Sequence, residues 1–265
     1  MSWEEEEDTS AGMTRRQWVR AGMGFGTIGA LGAVGASTIG QLIPPPLRFD
    51  GEVRDTLHYT KFPTPQWWNG LREQPVRVSD FEEEWMGATG VWRGLFRGGK
   101  LLPGTGFPVM VIRVKRDIAN FKVPLPEALP AAPPVGYSLF YDDEARDVRI
   151  VVVFDRCVHL CCYPGWHVVD DPPPDRGYVA YSPTWEIYRR DPIYCVCHGS
   201  QYEPMSLVVN FNEKSSASYV GAERVHGPAH RALPIVPVKA SNEVLIGAMP
   251  ENDGKPDPRW YVYCA

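Results

Sequence analysis

Stripes of positive charge, internal repeats and long helical patterns are scarce or missing in this sequence, and each absence excludes something. Lys and Arg form no cluster and the net charge is −5, so nothing selects nucleic acid as a partner. No period of 20–50 residues recurs, which excludes a solenoid. Where helical patterns are scarce, 26 prolines and 25 glycines favour short strands joined by loops. The six cysteines fit neither a disulfide miniprotein nor a typical cytosolic enzyme. What is present is a globular composition, long enough at 265 residues for one good core.

The one long uncharged run lies near the start. Residues 1–20 are an acidic, polar tail ending in "TRRQWVR", and Ala21–Ile43 follows without a charge. Its 23 residues would span roughly 34 Å as a helix, enough to cross a bilayer. Arg15 and Arg16 before such a run resemble a twin-arginine export signal, which serves proteins exported already folded. They would serve equally as positive-inside anchors, and "AVGAS" offers a place for cleavage. The expectation is a retained single-pass anchor at 21–43 in the cytoplasmic membrane, with the remaining chain on the external face. "PPP" at 44–46 ends that helix, and 44–75 reads as a connector with its pivot near Phe49–Asp55. Trp67 and Trp68 suit either a membrane interface or burial against the domain.

From residue 76 to 265 the patterns are short and β-branched. "PVRVSD" reads as a strand, followed by a brief helix capped by Ser79 and Glu82. "FPVMVIRVK", "VGYSLFY", "DVRIVVVFD", "GYVAYS", "PIYCVC", "ALPIVPVKA", "EVLIGA" and "WYVYC" follow as strands separated by turn residues. The fold class is therefore all-β, an antiparallel sandwich or barrel-like domain.

Five of the six cysteines fall in two segments, "DRCVHLCCYPGWH" and "IYCVCHGSQYEP", each directly after a predicted strand. Cys157 with His159, and Cys195 with His198, would offer two thiolates and two imidazoles to one metal site. Zinc accepts such a set, but would leave Cys162 and Cys197 unexplained. A [2Fe–2S] cluster accounts for more of the residues.

"CVHLCC … CVCHGSQY" resembles the paired boxes of Rieske iron–sulfur proteins. The resemblance implies that Cys157 and Cys195 hold a buried iron and that His159 and His198 hold an exposed one. It also implies a Cys162–Cys197 disulfide, hydroxyl hydrogen bonds from Ser200 and Tyr202 to cluster sulfur, and shielding by Leu160. "HGPAHRALP" (226–234) is similar to the proline loop that covers the cluster, with His230 where a second proline is usual. The cluster-binding part, about 155–232, would be inserted in the β domain. Such hydroxyls and the histidine ligands imply a potential of roughly +100 to +300 mV.

Two departures stand out. Cys161 replaces the usual glycine, and 35 residues separate His159 from Cys195, about twice the compact spacing. Cys161 and Cys264 have no assigned role, and a disulfide between them is one option. His58, His167, His226 and His230 read as packing or surface residues, with His167 and His230 nearest the site for proton handling.

Rieske oxygenases need a further catalytic domain, and only 67 residues follow His198. The order anchor, connector, cluster domain is instead similar to the electron-transfer subunit of a cytochrome bc-type quinol oxidoreductase. The resemblance implies a cytochrome b-type partner, quinol as donor to His198 or His159, and a cytochrome c-like or blue-copper acceptor. The small subunit of another exported oxidoreductase, arsenite-oxidase-like, is the alternative.

Overall fold

The runs Phe107–Val114 and Val148–Phe154 pair antiparallel, Val109 opposite Phe154 through Val114 opposite Arg149, and form the centre of the fold. Their side chains alternate between two cores, as the period of two requires. Met110, Ile112, Val114, Val151 and Val153 enter the core that also holds Cys157 and Cys195. Val109, Val111, Ile150, Val152 and Phe154 enter the opposite one. Because both faces are covered, the second strand is buried at all seven positions. That explains its apolar run from Ile150 to Phe154, each such side chain contributing about 1.5–3 kcal/mol.

The structure is a computed structural model that describes residues 51–130, 132–166, 181–252 and 255–256, all in a compact unit beginning at Gly51. Arg15, Arg16, the anchor expected at 21–43, the 44–50 part of the connector, His167, most of "GYVAYS", Cys264 and "WYVYC" lie outside the described residues. Among the described residues, no helix is long and apolar enough to cross a membrane.

In chain order the strands are β1 (Glu52–Arg54), β2 (His58–Tyr59), β3 (Gly87–Trp92), β4 (Gly94–Arg97), β5 (Lys100–Leu101), β6 (Phe107–Val114) and β7 (Tyr141–Asp143). They continue as β8 (Val148–Phe154), β9 (Ile193–Tyr194), β10 (Gln201–Asn212), β11 (Ala217–His226), β12 (Leu233–Pro234), β13 (Val238–Ser241) and β14 (Val244–Gly247). The five-stranded sheet runs β2-β3-β6-β8-β7, and a four-stranded sheet runs β12-β11-β10-β9. Pairing is antiparallel throughout these sheets. The mainly β reading of the sequence therefore holds. β8 delivers the first cysteine–histidine loop and β9 the second, so each site loop leaves a strand end. The amide of Val236 donates to the Val152 carbonyl (2.8 Å), joining the segment after β12 to β8.

Three expectations are corrected. From residue 52 onward the expected connector is built into the domain. β1 pairs with β4, β2 pairs with β3, and Leu57, Tyr59 and Trp68 are buried, so the segment is held by core packing. Trp68 is interior, while half-exposed Trp67 donates its indole N–H to the Gly87 carbonyl (3.0 Å). At "PVRVSD" a 3-10 turn, Val78–Asp80, replaces strand and helix. The capping carboxylate is Asp80, accepting the Arg77 amide at 3.1 Å, rather than Glu82. Of "VGYSLFY", Ser138 makes an isolated bridge to Val238 and the strand starts only at Tyr141.

Candidate metal centre

The two cysteine–histidine loops share one backbone design. In the first, the Cys157 amide donates to the Cys162 carbonyl (2.8 Å) and the Cys161 amide donates back to the Cys157 carbonyl (2.9 Å). In the second, the Cys195 amide donates to Ser200 (2.8 Å) and the Gly199 amide donates to Cys195 (2.9 Å). Each loop closes through a left-handed residue, Cys161 at φ +61° and Gly199 at φ +76°. Glycine is the usual solution there because it carries no Cβ. Cys161 therefore occupies a glycine position at some conformational cost. It is itself disulfide-bonded.

This shared loop turns both first cysteines inward. Cys157 and Cys195 are 1% exposed and are the free cysteines among the described residues. The histidines stand further out. Their rings lie edge to face, with centroids 4.8 Å apart and planes at 88°. A Cys162–Cys197 disulfide ties one loop to the other, Cα to Cα 6.6 Å, as the resemblance implied. The sulfurs of Cys162, Cys195 and Cys197 lie within 4.8 Å of one another. The disulfide consumes two of them, however, so only Cys195 of that trio has a ligand electron pair to offer as thiolate.

Buried hydroxyls face the thiols. Tyr202 Oη lies 3.1 Å from Cys157 Sγ, and the tyrosine is wholly buried. Ser200, equally buried, adds its hydroxyl to the same thiol and accepts the Ala229 amide at 3.1 Å. Hydrogen bonding to the Cys195 thiol first, then to Tyr202, the His159 amide and Ser200, brings the Cys157 thiol below its ordinary range despite burial. Cys195 is pushed up by the same hydrogen bond and by its own desolvation. Burial, followed by the Cys157 charge, raises Tyr202, which stays a donor.

His159 Nδ1 is buried and has no hydrogen-bond partner. An orphaned imidazole nitrogen on a ring packed against a second imidazole is what an absent metal bond would leave. The two free thiols and the two adjacent imidazoles are of the kinds that a site of two sulfur and two nitrogen ligands uses. The set by itself suits zinc or a mixed-ligand iron–sulfur cluster.

The surroundings hold the loops in place. The Gly165 amide donates to Asp155 Oδ1 (2.8 Å) and the Trp166 indole donates to the Trp85 carbonyl (2.9 Å), closing the first loop against the core. Gly227 lies against the second. A Cβ there would sit 2.5 Å from Ser200 Cα and 2.6 Å from the Gly199 carbonyl oxygen. The 226–234 segment thus packs on the site, as expected of a covering loop. Leu160, next to His159 in the chain, is 56% exposed. Of the other histidines, His58 is buried with Nδ1 on the Thr56 carbonyl (3.0 Å), away from the site. His230 is lowered chiefly by burial and by Arg231.

Motif reading missed Glu203. It is fully buried, accepts Ser182 Oγ (2.7 Å), Thr184 Oγ1 (3.0 Å) and the Thr184 amide (3.2 Å) on one oxygen, and accepts the Met205 amide (2.9 Å) on the other. It pins Ser182 and Thr184, in the long segment between the two site loops, to β10. No local pattern announces it, because its donors lie about twenty residues upstream. A scan against protein-family models finds no match, and a search of curated proteins finds none.

Proposed function

We propose that this chain is a Rieske-type electron-transfer subunit of a membrane quinol-oxidising, cytochrome bc-type complex. One observation carries the reading: two loops of the same backbone design, clasped by Cys162–Cys197, hold two buried thiols behind two adjacent imidazoles. Cys157 and Cys195 would bind one iron of a [2Fe–2S] cluster, and His159 and His198 the other. Bound there, the cluster would supply reversible one-electron transfer at a high potential.

The chain's own residues supply the rest. Tyr202 and Ser200 donate hydrogen bonds toward sulfur, which favours a more negatively charged site and raises its potential. Buried Cys157 and Cys195 keep water from the sulfur ligands. His159 Nδ1 points inward, which leaves Nε2 to meet a donor from outside. His198 is the more exposed of the two and is the better placed to accept a hydrogen bond and a proton from a quinol hydroxyl. Leu160 gives that contact an apolar rim.

Support for a membrane complex comes from the sequence: Arg15 and Arg16, the uncharged 21–43 run, and the order of parts. In this reading the domain faces outside, a cytochrome b-type subunit is the partner, and a cytochrome c-like or blue-copper protein takes the electron.

Electron paramagnetic resonance of the ascorbate-reduced full chain tests the proposal. The expected spectrum has an average g below that of all-cysteine [2Fe–2S] proteins, with iron and acid-labile sulfide in equal amounts. A silent sample containing zinc would overturn it. Co-purification with a b-type cytochrome tests the complex.

A further inference from the structure

Beside the base of the first site loop lies a cleft of about 720 Å³, within the range of small-molecule sites. Asp155, Arg156 and Tyr163 border it on one side; Lys61, Phe62, Val91 and Leu102 supply much of the remainder. The carboxylates on this cleft are committed. Glu73 pairs with Arg72 (3.2 Å), and Asp155 is buried on the Gly165 amide (2.8 Å). The cations are less so. Among the described residues neither Lys61 nor Arg156 forms an ion pair. Arg156 stacks on Tyr163 (4.1 Å to the ring centre) and reaches the Cys161 carbonyl at 3.4 Å. Its Nε is buried with no acceptor.

An apolar pocket with two unpaired cations and an unused buried donor is complementary to a molecule with an apolar body and one anionic end. We propose that this cleft binds an amphipathic organic acid, its carboxylate between Lys61 and Arg156 and its body against Phe62, Val91 and Leu102. Arg156 immediately precedes Cys157 and touches the Cys161 carbonyl, so an occupant that recruits the guanidinium also acts on the first site loop. The site goes beyond the electron-transfer reading and does not depend on which metal the loops hold.

Calorimetric titration of the full chain in amphipol with 2-naphthoate, 2-naphthol and inorganic phosphate tests it. Naphthoate is expected to bind saturably at one site, with naphthol about tenfold weaker or more, and phosphate not at all. Lys61→Gln, a change at an exposed side chain, weakens naphthoate about tenfold and leaves naphthol unchanged. Leu102→Trp fills the cleft and abolishes both. Equal binding of naphthoate and naphthol, phosphate binding as tight as naphthoate, or indifference to both variants would overturn the proposal. Each result is read without reference to metal content, so it stands or falls apart from the cluster.

Discussion

Cys161 and Gly199 occupy the same place in the two site loops: both are left-handed, at φ +61° and +76°, and both donate their amide to the loop's first cysteine at 2.9 Å. At Gly199 a Cβ would meet only Tyr194 Oη, at 3.9 Å, so the position has room and its constraint is conformational. Gly227 combines a positive φ of +86° with backbone atoms at 2.5–2.7 Å from a Cβ. Gly199→Ala should therefore cost about 1–2 kcal/mol. Gly227→Ala should cost about 1–3 kcal/mol more, because the covering segment must move off Ser200. Urea midpoints of the two variants check the order; equal midpoints would contradict the packing assigned to Gly227.

Tyr202 sits 3.1 Å from Cys157 Sγ with no exposure to water. Tyr202→Phe removes that donor while preserving the ring. In the proposed cluster it should lower the midpoint potential by about 40–60 mV, the equivalent of roughly 1 kcal/mol for one electron. Ser200→Ala should act in the same direction. Redox titration monitored by the reduced-state spectrum measures both, and an unchanged potential in each would remove the tuning role.

The site was more legible than the framework around it. Cysteine and histidine spacing is local, so "CVHLCC" and "CVCHGSQY" single out Cys157, His159, Cys195 and His198 as candidates without any knowledge of packing. The Cys162–Cys197 pairing, implied by resemblance, is present. The framework is set by distant contacts. β10 and β11 pair from Gln201–His226 to Asn212–Ala217, yet neither was read as a strand. β10 carries Glu203, Pro204 and Ser206 at buried positions, which breaks the alternation that sequence reading relies on. β3 was overlooked because of its glycines, and Gly87 is there to admit Trp166: a Cβ would lie 1.8 Å from its indole. The connector was misjudged from residue 52 onward because sheet pairing, invisible in composition, recruits it.

Glu203 gives the domain a pH dependence. Burial outweighs its four hydrogen bonds and raises its carboxyl from 4.5 to about 7. A raised acid holds its proton in the folded state after the unfolded chain has lost it. Its contribution is therefore intact below pH 4.5 and declines to a plateau as pH climbs through about 7, by roughly 3 kcal/mol in all. Asp155, raised by burial to about 6, acts in the same direction over a lower window. His58, lowered chiefly by burial, acts oppositely below 6.5. The difference between wild-type and Glu203→Gln stability profiles isolates Glu203. That difference should change between pH 4.5 and 7 and be flat outside this range; a difference flat throughout would mean that folding leaves the proton affinity of Glu203 unchanged.

The Cys162–Cys197 disulfide spans 35 residues, including the whole insert, and joins loops that otherwise meet through side chains. By loop-closure entropy it should stabilise the folded domain by about 3–4 kcal/mol. Its local effect is the sharper test. With the clasp gone, nothing covalent keeps the His159 ring against the His198 ring, while Cys157 and Cys195 remain held by their loop hydrogen bonds and by the core. The Cys162→Ser/Cys197→Ser variant should therefore fold at low temperature with a lowered urea midpoint. With the proposed cluster bound, it should lose metal from the histidine side first, seen as a falling metal-to-protein ratio while Cys157 and Cys195 stay protected from alkylation. Loss of protection at both thiols in step with the metal would show that the clasp holds the entire site, and retention of full metal occupancy would show that the two loops need no clasp.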